Sequence, residues 1–139
     1  MSSPVFVDTS ALYAVLDASD DRHSDAASGW LRLLEGIEHG TFAGVTHYGV
    51  VVESSALVQR RLGIAATRDL HDELLAVLSV ERVDEALHER ALTALLAAAD
   101  RNISLVDWTS FQLMRDRGID HALAFDSDFD DQGFRPPWV

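Results

Sequence analysis

Cysteine and lysine are both missing from this chain of 139 residues; all eleven of its basic residues, at positions such as Arg22, Arg60 and Arg117, are arginine. Without cysteine there are no disulfides, no thiolate metal sites and no cysteine nucleophile. Without lysine there is no phosphate-binding lysine of the P-loop kind and no Schiff-base chemistry. Proline occurs three times. No stretch approaches the roughly 18 uncharged apolar residues of a membrane span. The opening "MSSPVFVDTSALYAVLD" has no basic segment, and Asp8 interrupts its apolar run, so it reads poorly as a secretory signal. The expectation is a soluble, cytoplasmic protein.

What is abundant is acid. Aspartate and glutamate number 23, and the formal net charge is −12. Such a surface disfavours non-specific adhesion to nucleic acid or anionic membrane. It leaves open a nucleic acid held locally through metal ions. The length predicts one domain over 1–139, large enough to bury a core unaided.

Short apolar runs alternate with helical patterns. "PVFV" (4–7) reads as a buried strand ending at Asp8, followed by a helix from Thr9. A polar turn with Asp20 or Asp21 as cap opens a second helix carrying Trp30, Leu33 and Leu34, which Gly40 ends. "TFAGV" (41–45) is a weak strand, and the spacing of apolar residues from Thr46 to Gly63 predicts a helix. A further helix over 64–78 presents Leu70, Leu74, Leu75 and Leu78. "SVERV" (79–83) is a third strand, Asp84 caps a helix over 85–99, and Ser104 opens another that Gly118 closes. "ALAF" (122–125) is a fourth strand, and "GFRPPWV" offers an edge strand that its prolines would cut short. Strands separated by helices imply a parallel sheet covered on both faces, with ligands beyond the strands' carboxyl ends.

Carboxylates fall at those ends. Asp8 closes the first strand and Asp126 the fourth, with Asp128 two residues on; Glu53 lies in the early turns of the third helix and Asp107 in the first turn of the helix from Ser104. Each has an ordinary structural role available. Asp8 suits a helix cap, Glu53 a solvated helix face, Asp107 a capping box with Ser104, and Asp126-Ser-Asp128 a turn. Jointly they say more. Two carboxylates 4 Å apart repel by about 4 kcal/mol at an effective dielectric of 20, so a cluster needs a cation or raised pKa values. An all-oxygen donor set favours Mg²⁺ or Mn²⁺, and a water activated by such an ion beside a carboxylate suits phosphodiester cleavage. The six histidines, at 23, 39, 47, 71, 88 and 121, show no metal-ligand spacing and read as surface or helix-end residues.

The segments "FVDTSAL", "DDRHSDAA", "VVVESSAL", "SLVD" and "ALAFDSDF", in this order and spacing, resemble the PIN-domain family and, in size, its VapC-type toxin ribonucleases. The resemblance implies a three-layer α/β/α sandwich around a central parallel sheet of four to five strands. It implies an Mg²⁺- or Mn²⁺-dependent endoribonuclease acting on RNA, a cognate antitoxin protein that blocks the site, and a homodimer. Carried over, Asp8, Glu53, Asp107 and Asp126 are the acidic quartet and Asp128 is accessory. Asp8 and Asp107 would hold the principal ion, Glu53 and Asp126 would position water or a second ion, and Ser10 would orient Asp8 or touch the scissile phosphate. Trp108 departs from the small residue common after the third acid, and either narrows access or packs away. Arg60, Arg61, Arg115 and Arg117 are candidate phosphate contacts, although a solvated helix face is the commoner role for arginine. A haloacid-dehalogenase-type phosphatase or a phospho-receiver domain would need the absent lysine. The remaining alternative is a catalytically weak or inactive PIN-like protein-interaction module.

Overall fold

A computed structural model describes residues 1–138. Four parallel strands form one sheet in the order β3-β2-β1-β4: β1 Ser3–Val7, β2 Phe42–His47, β3 Ser79–Glu81 and β4 His121–Leu123. Val5, Phe6 and Val7 are fully buried, as a central parallel strand covered on both faces requires. The helices are α1 Thr9–Leu16, α2 His23–Glu38, α3 Tyr48–Leu62, α4 Ile64–Asp69, α5 Glu85–Ala98, α6 Leu105–Arg117 and α7 Ser127–Asp131. They clothe the sheet in a three-layer α/β/α arrangement.

The strand order positions the site. The chain steps from β1 to β2 to β3 in one direction and then places β4 on the other side of β1. Val5 pairs with His121 and Val7 with Leu123, so the carboxyl ends of β1 and β4 lie side by side at the reversal. The Asp8 N–H continues the ladder, donating to Leu123 O at 3.1 Å.

Several boundaries differ from the sequence reading. The helix expected from Thr46 begins at Tyr48, because β2 continues through His47. The two polar residues at the strand's end are buried with partners far along the chain: Thr46 Oγ1 donates to Val7 O (2.8 Å), and His47 Nε2 pairs with Ser110 Oγ (2.9 Å). His47 Nδ1 also caps α3 by accepting from the Gly49 N–H. Burial drives the His47 pKa down to about 4, so this helix-end residue is a neutral core histidine, not a surface one.

Neither Asp20 nor Asp21 caps α2. Asp20 instead accepts the Arg22 N–H at 2.8 Å in the preceding turn, and the cap position, Arg22, makes no side-chain bond. The helix expected over 64–78 is three pieces: α4, a π turn at Leu70–Leu74 and a 3₁₀ turn at Leu75–Val77. All four leucines reach the core, and the chain achieves this by changing helical pitch. β3 and β4 are shorter than expected. The "GFRPPWV" segment contributes one bridge, Arg135 to His121, after which two prolines supply no further donors; Val139 lies outside the described residues. The stops at Gly63 and Gly118 hold, with φ of 95° and 65°.

An aromatic cluster fastens α7, which the sequence reading did not anticipate, to the sheet and α6. Phe129 lies 4.9 Å from Phe111 and 6.1 Å from Phe6, ring centre to ring centre, and is 1% exposed. Truncating it removes the anchor of the helix that carries Asp128. Phe129→Ala is expected to lower the unfolding free energy by about 3–5 kcal/mol in urea denaturation; a loss below about 1 kcal/mol would show that α7 is held by something else.

Candidate metal centre

The acids predicted from element ends meet in one cleft of about 460 Å³, lined by Asp8, Thr9, Ser10, Glu53, Ala56, Leu57, Arg60, Ser104, Asp107 and Asp126. Three of them share a construction. Asp8 is the N-cap of α1, and its Oδ2 accepts from the Ser10 N–H (3.1 Å) and the Ser10 hydroxyl (2.8 Å). Asp107 completes a capping box, its Oδ2 taking the Ser104 N–H and hydroxyl, both at 3.1 Å. Asp126 is the N-cap of α7, and its Oδ1 accepts from the Asp128 N–H at 3.0 Å. In each case one carboxylate oxygen caps a helix, and for Asp8 the other, Oδ1, has no hydrogen-bond partner. Helix cap and cleft ligand are therefore compatible roles for one side chain. Ser10 adds a link between strand ends: its hydroxyl, donated to Asp8, accepts the Phe125 N–H at 2.9 Å, one residue before Asp126.

The tightest grouping is Asp107, Asp126 and Asp128, which each offer an oxygen within 4.8 Å of the others'. Asp8, expected to share the principal ion with Asp107, stands outside that trio but faces the same cleft, as does Glu53. Asp128 belongs to the trio without lining the cleft wall.

The electrostatics of the cleft favour a positive counter-charge. Asp8 is 3% exposed, and its Oδ1 is buried with no hydrogen-bond partner. Burial pushes its pKa up to about 7 against the pull of the Ser10 bonds, and the charges of Asp107 and Glu53 add to the rise. Burial also raises Glu53 and Asp107, each further lifted by the charge of Asp126. Asp128 is pushed up to about 6 by desolvation, by its hydrogen bond to Asp126 and by neighbouring charge. An unpartnered buried oxygen among three to five carboxylates, with no histidine lining the cleft, is a fit for a hard divalent cation and for little else.

Of the four arginines considered for phosphate contact, only Arg60 lines the cleft. Arg61 lies over the Tyr13 ring at 5.5 Å, Arg115 hydrogen-bonds Gln132, and Arg117 forms a two-bonded pair with Glu81. Arg60 follows Glu53 by seven residues, which places both on one helical face, so its position was readable from spacing. Thr9, which lines the cleft with Glu53, was not singled out from sequence. Trp108 packs edge-to-face on Phe111 at 5.5 Å and is not part of the cleft wall.

A PIN domain model matches residues 5–135. The chain belongs to the PIN-domain family. Among its PIN relatives, the protein named 23S rRNA-specific endonuclease VapC20 of Mycobacterium tuberculosis, in strains H37Rv and CDC 1551, is 37% identical over 131 residues, spanning 94% of this chain and 95% of that one. The crystal structure of Mycobacterium tuberculosis VapC20, described as a sarcin–ricin-loop-cleaving toxin, superposes with a TM-score of 0.81 at 36% identity, covering 94% of this chain and 95% of the other. The PIN fold and the acid-lined cleft at its strand ends thus coincide in this chain.

The raised Asp8 has a thermodynamic consequence. Between its ordinary value of 3.8 and about 7, the folded protein holds a proton that the unfolded chain has released. Metal-free stability must therefore fall as pH rises through that window, by up to about 4 kcal/mol. In urea denaturation with EDTA, wild type is expected to be less stable at pH 8 than at pH 5, and Asp8→Asn to show a clearly smaller difference. Equal pH slopes in the two proteins would show that Asp8 ionises normally.

Proposed function

We propose that this protein is a divalent-metal-dependent endoribonuclease, the toxin of a toxin–antitoxin pair, acting in the cytoplasm on ribosomal RNA. The observation that carries this reading is the convergence of Asp8, Glu53, Asp107 and Asp126 on one cleft at the switch point of a PIN fold. Membership of the PIN family and full-length likeness to VapC20 support RNA as the substrate. The same likeness makes the sarcin–ricin loop of 23S rRNA the first substrate to try. Among the described residues, no helix is long and apolar enough to cross a membrane.

The ion we assign is Mg²⁺ or Mn²⁺, which Asp107, Asp126 and Asp128 would hold, with Asp8 and Glu53 facing the same cleft beside them. When bound, such an ion lowers the pKa of water and offsets charge gathering on the phosphate. The protein's own residues do the rest. Ser104 and Ser10 each hold one carboxylate oxygen, of Asp107 and Asp8 respectively, and so restrict those side chains' rotamers. Glu53, whose raised pKa keeps it closer to neutral pH than an ordinary glutamate, is suited to accept the proton of the attacking water. The Ser10 hydroxyl is committed to Asp8 and Phe125, which favours orienting Asp8 over touching the phosphate. A cleft this acidic repels RNA until the metal is loaded, which reconciles the net charge of −12 with a nucleic-acid substrate. We further propose that a cognate antitoxin blocks this cleft and that the toxin is a homodimer.

Purified protein is expected to cut an RNA hairpin carrying the sarcin–ricin loop in Mg²⁺ or Mn²⁺, to stop in EDTA, and to lose at least about 100-fold in rate as Asp107→Asn. Cleavage that continues in EDTA, or in the variant at the wild-type rate, would overturn the assignment.

A further inference from the structure

The cleft's positive charge comes from one side chain. Glu53, Ala56, Leu57 and Arg60 recur at helical spacing along α3, and all four line the cleft. Seven residues of α-helix separate Glu53 from Arg60 by about 10 Å along the axis. Ala56 and Leu57, with no charge to offer, occupy the interval. Arg60 is exposed and forms no ion pair or hydrogen bond with any described residue, although four carboxylates line the same cleft. The arginine beside it, Arg61, is turned away onto Tyr13. An arginine that serves the fold by pairing is seen at Arg117 with Glu81 and at Arg135 with Asp130; Arg60 does neither.

We propose that Arg60 binds a backbone phosphate of the RNA flanking the one being cut, and so sets the direction in which the strand crosses the cleft. The inference rests on the nuclease reading above. A guanidinium engages phosphate through paired, charge-assisted hydrogen bonds. The acidic end of the cleft accepts a phosphate only with its metal, whereas Arg60 attracts one unaided. A strand gripped at both points lies along α3, with Ala56 and Leu57 between the grips. Phosphate contacts of this kind place the substrate in register and do not read its sequence.

The test is steady-state cleavage of the same RNA hairpin by wild type, Arg60→Ala and Arg60→Lys at several salt concentrations. Wild-type cleavage serves as the control, since its absence would count against the nuclease reading itself. Arg60→Ala is expected to raise KM about tenfold with kcat within about twofold, and to flatten the dependence of log(kcat/KM) on log[salt] by nearly one unit. Arg60→Lys should recover part of the KM loss and restore the salt slope. Because Arg60 is exposed and unpaired, the melting temperatures of all three proteins should agree. An active wild type with unchanged KM and salt slope in Arg60→Ala would overturn the inference. So would a loss confined to kcat, or an Arg60→Lys variant no better than Arg60→Ala.

Discussion

Burying a carboxylate with one oxygen unpartnered is unfavourable, and this fold does so at Asp8, at the meeting point of its two central strand ends. The Ser10 amide and hydroxyl satisfy Oδ2, while Oδ1 is left without a donor beside the charges of Asp107 and Glu53. Such an arrangement costs stability in the metal-free protein and is relieved by a cation. The rest of the cleft follows the same logic. Asp107 and Asp126 each place one oxygen on a helix N-terminus, so the backbone fixes the orientation of both side chains.

The scaffold explains why these residues can be so placed. β1 and β4 are adjacent and parallel, and the chain reverses its progress across the sheet between them. That reversal opens the crevice. The Ser10 hydroxyl spans it, joining Asp8 to the Phe125 amide, and Phe129 fixes the short helix behind Asp126 into the aromatic core with Phe6 and Phe111. α3 forms another wall and carries two unlike functions on one face, a carboxylate near its start and a free arginine near its end. Opposite charges two helical turns apart on α3 give the cleft wall a polarity.

Much of this was legible in the sequence because it depends on local rules. "PVFV" before Asp8 and "ALAF" before Asp126 read as buried strands with acids at their ends, and Ser104-x-x-Asp107 announces a capping box in any fold. Other features depend on partners remote in sequence. Thr46 and His47 look like the start of a helix, but Val7 O and Ser110 Oγ draw them into the sheet. The leucines at 70, 74, 75 and 78 have helical spacing, yet the core demands all four and breaks the helix into π and 3₁₀ turns. "DSDFDD" reads as a turn because its charges hide the single buried residue, Phe129, that makes it a helix. The grouping of Asp128, more than Asp8, with Asp107 and Asp126 is a matter of side-chain direction that spacing does not express. Arg60 was weighed as a phosphate contact and as a solvated helix residue; its seven-residue spacing from Glu53 is the signal that puts both on one face of α3.

The most direct test of the account is calorimetric titration of the protein with Mn²⁺ across pH. If Asp107, Asp126 and Asp128 are a cation's ligands and the charge of Asp8 strengthens their site, Mn²⁺ binds at pH 8, binds more weakly at pH 6 as Asp8 takes up its proton, and fails to bind with comparable affinity to Asp8→Asn or Asp107→Asn. Mn²⁺ affinity that is independent of pH and unaltered in both variants would contradict it.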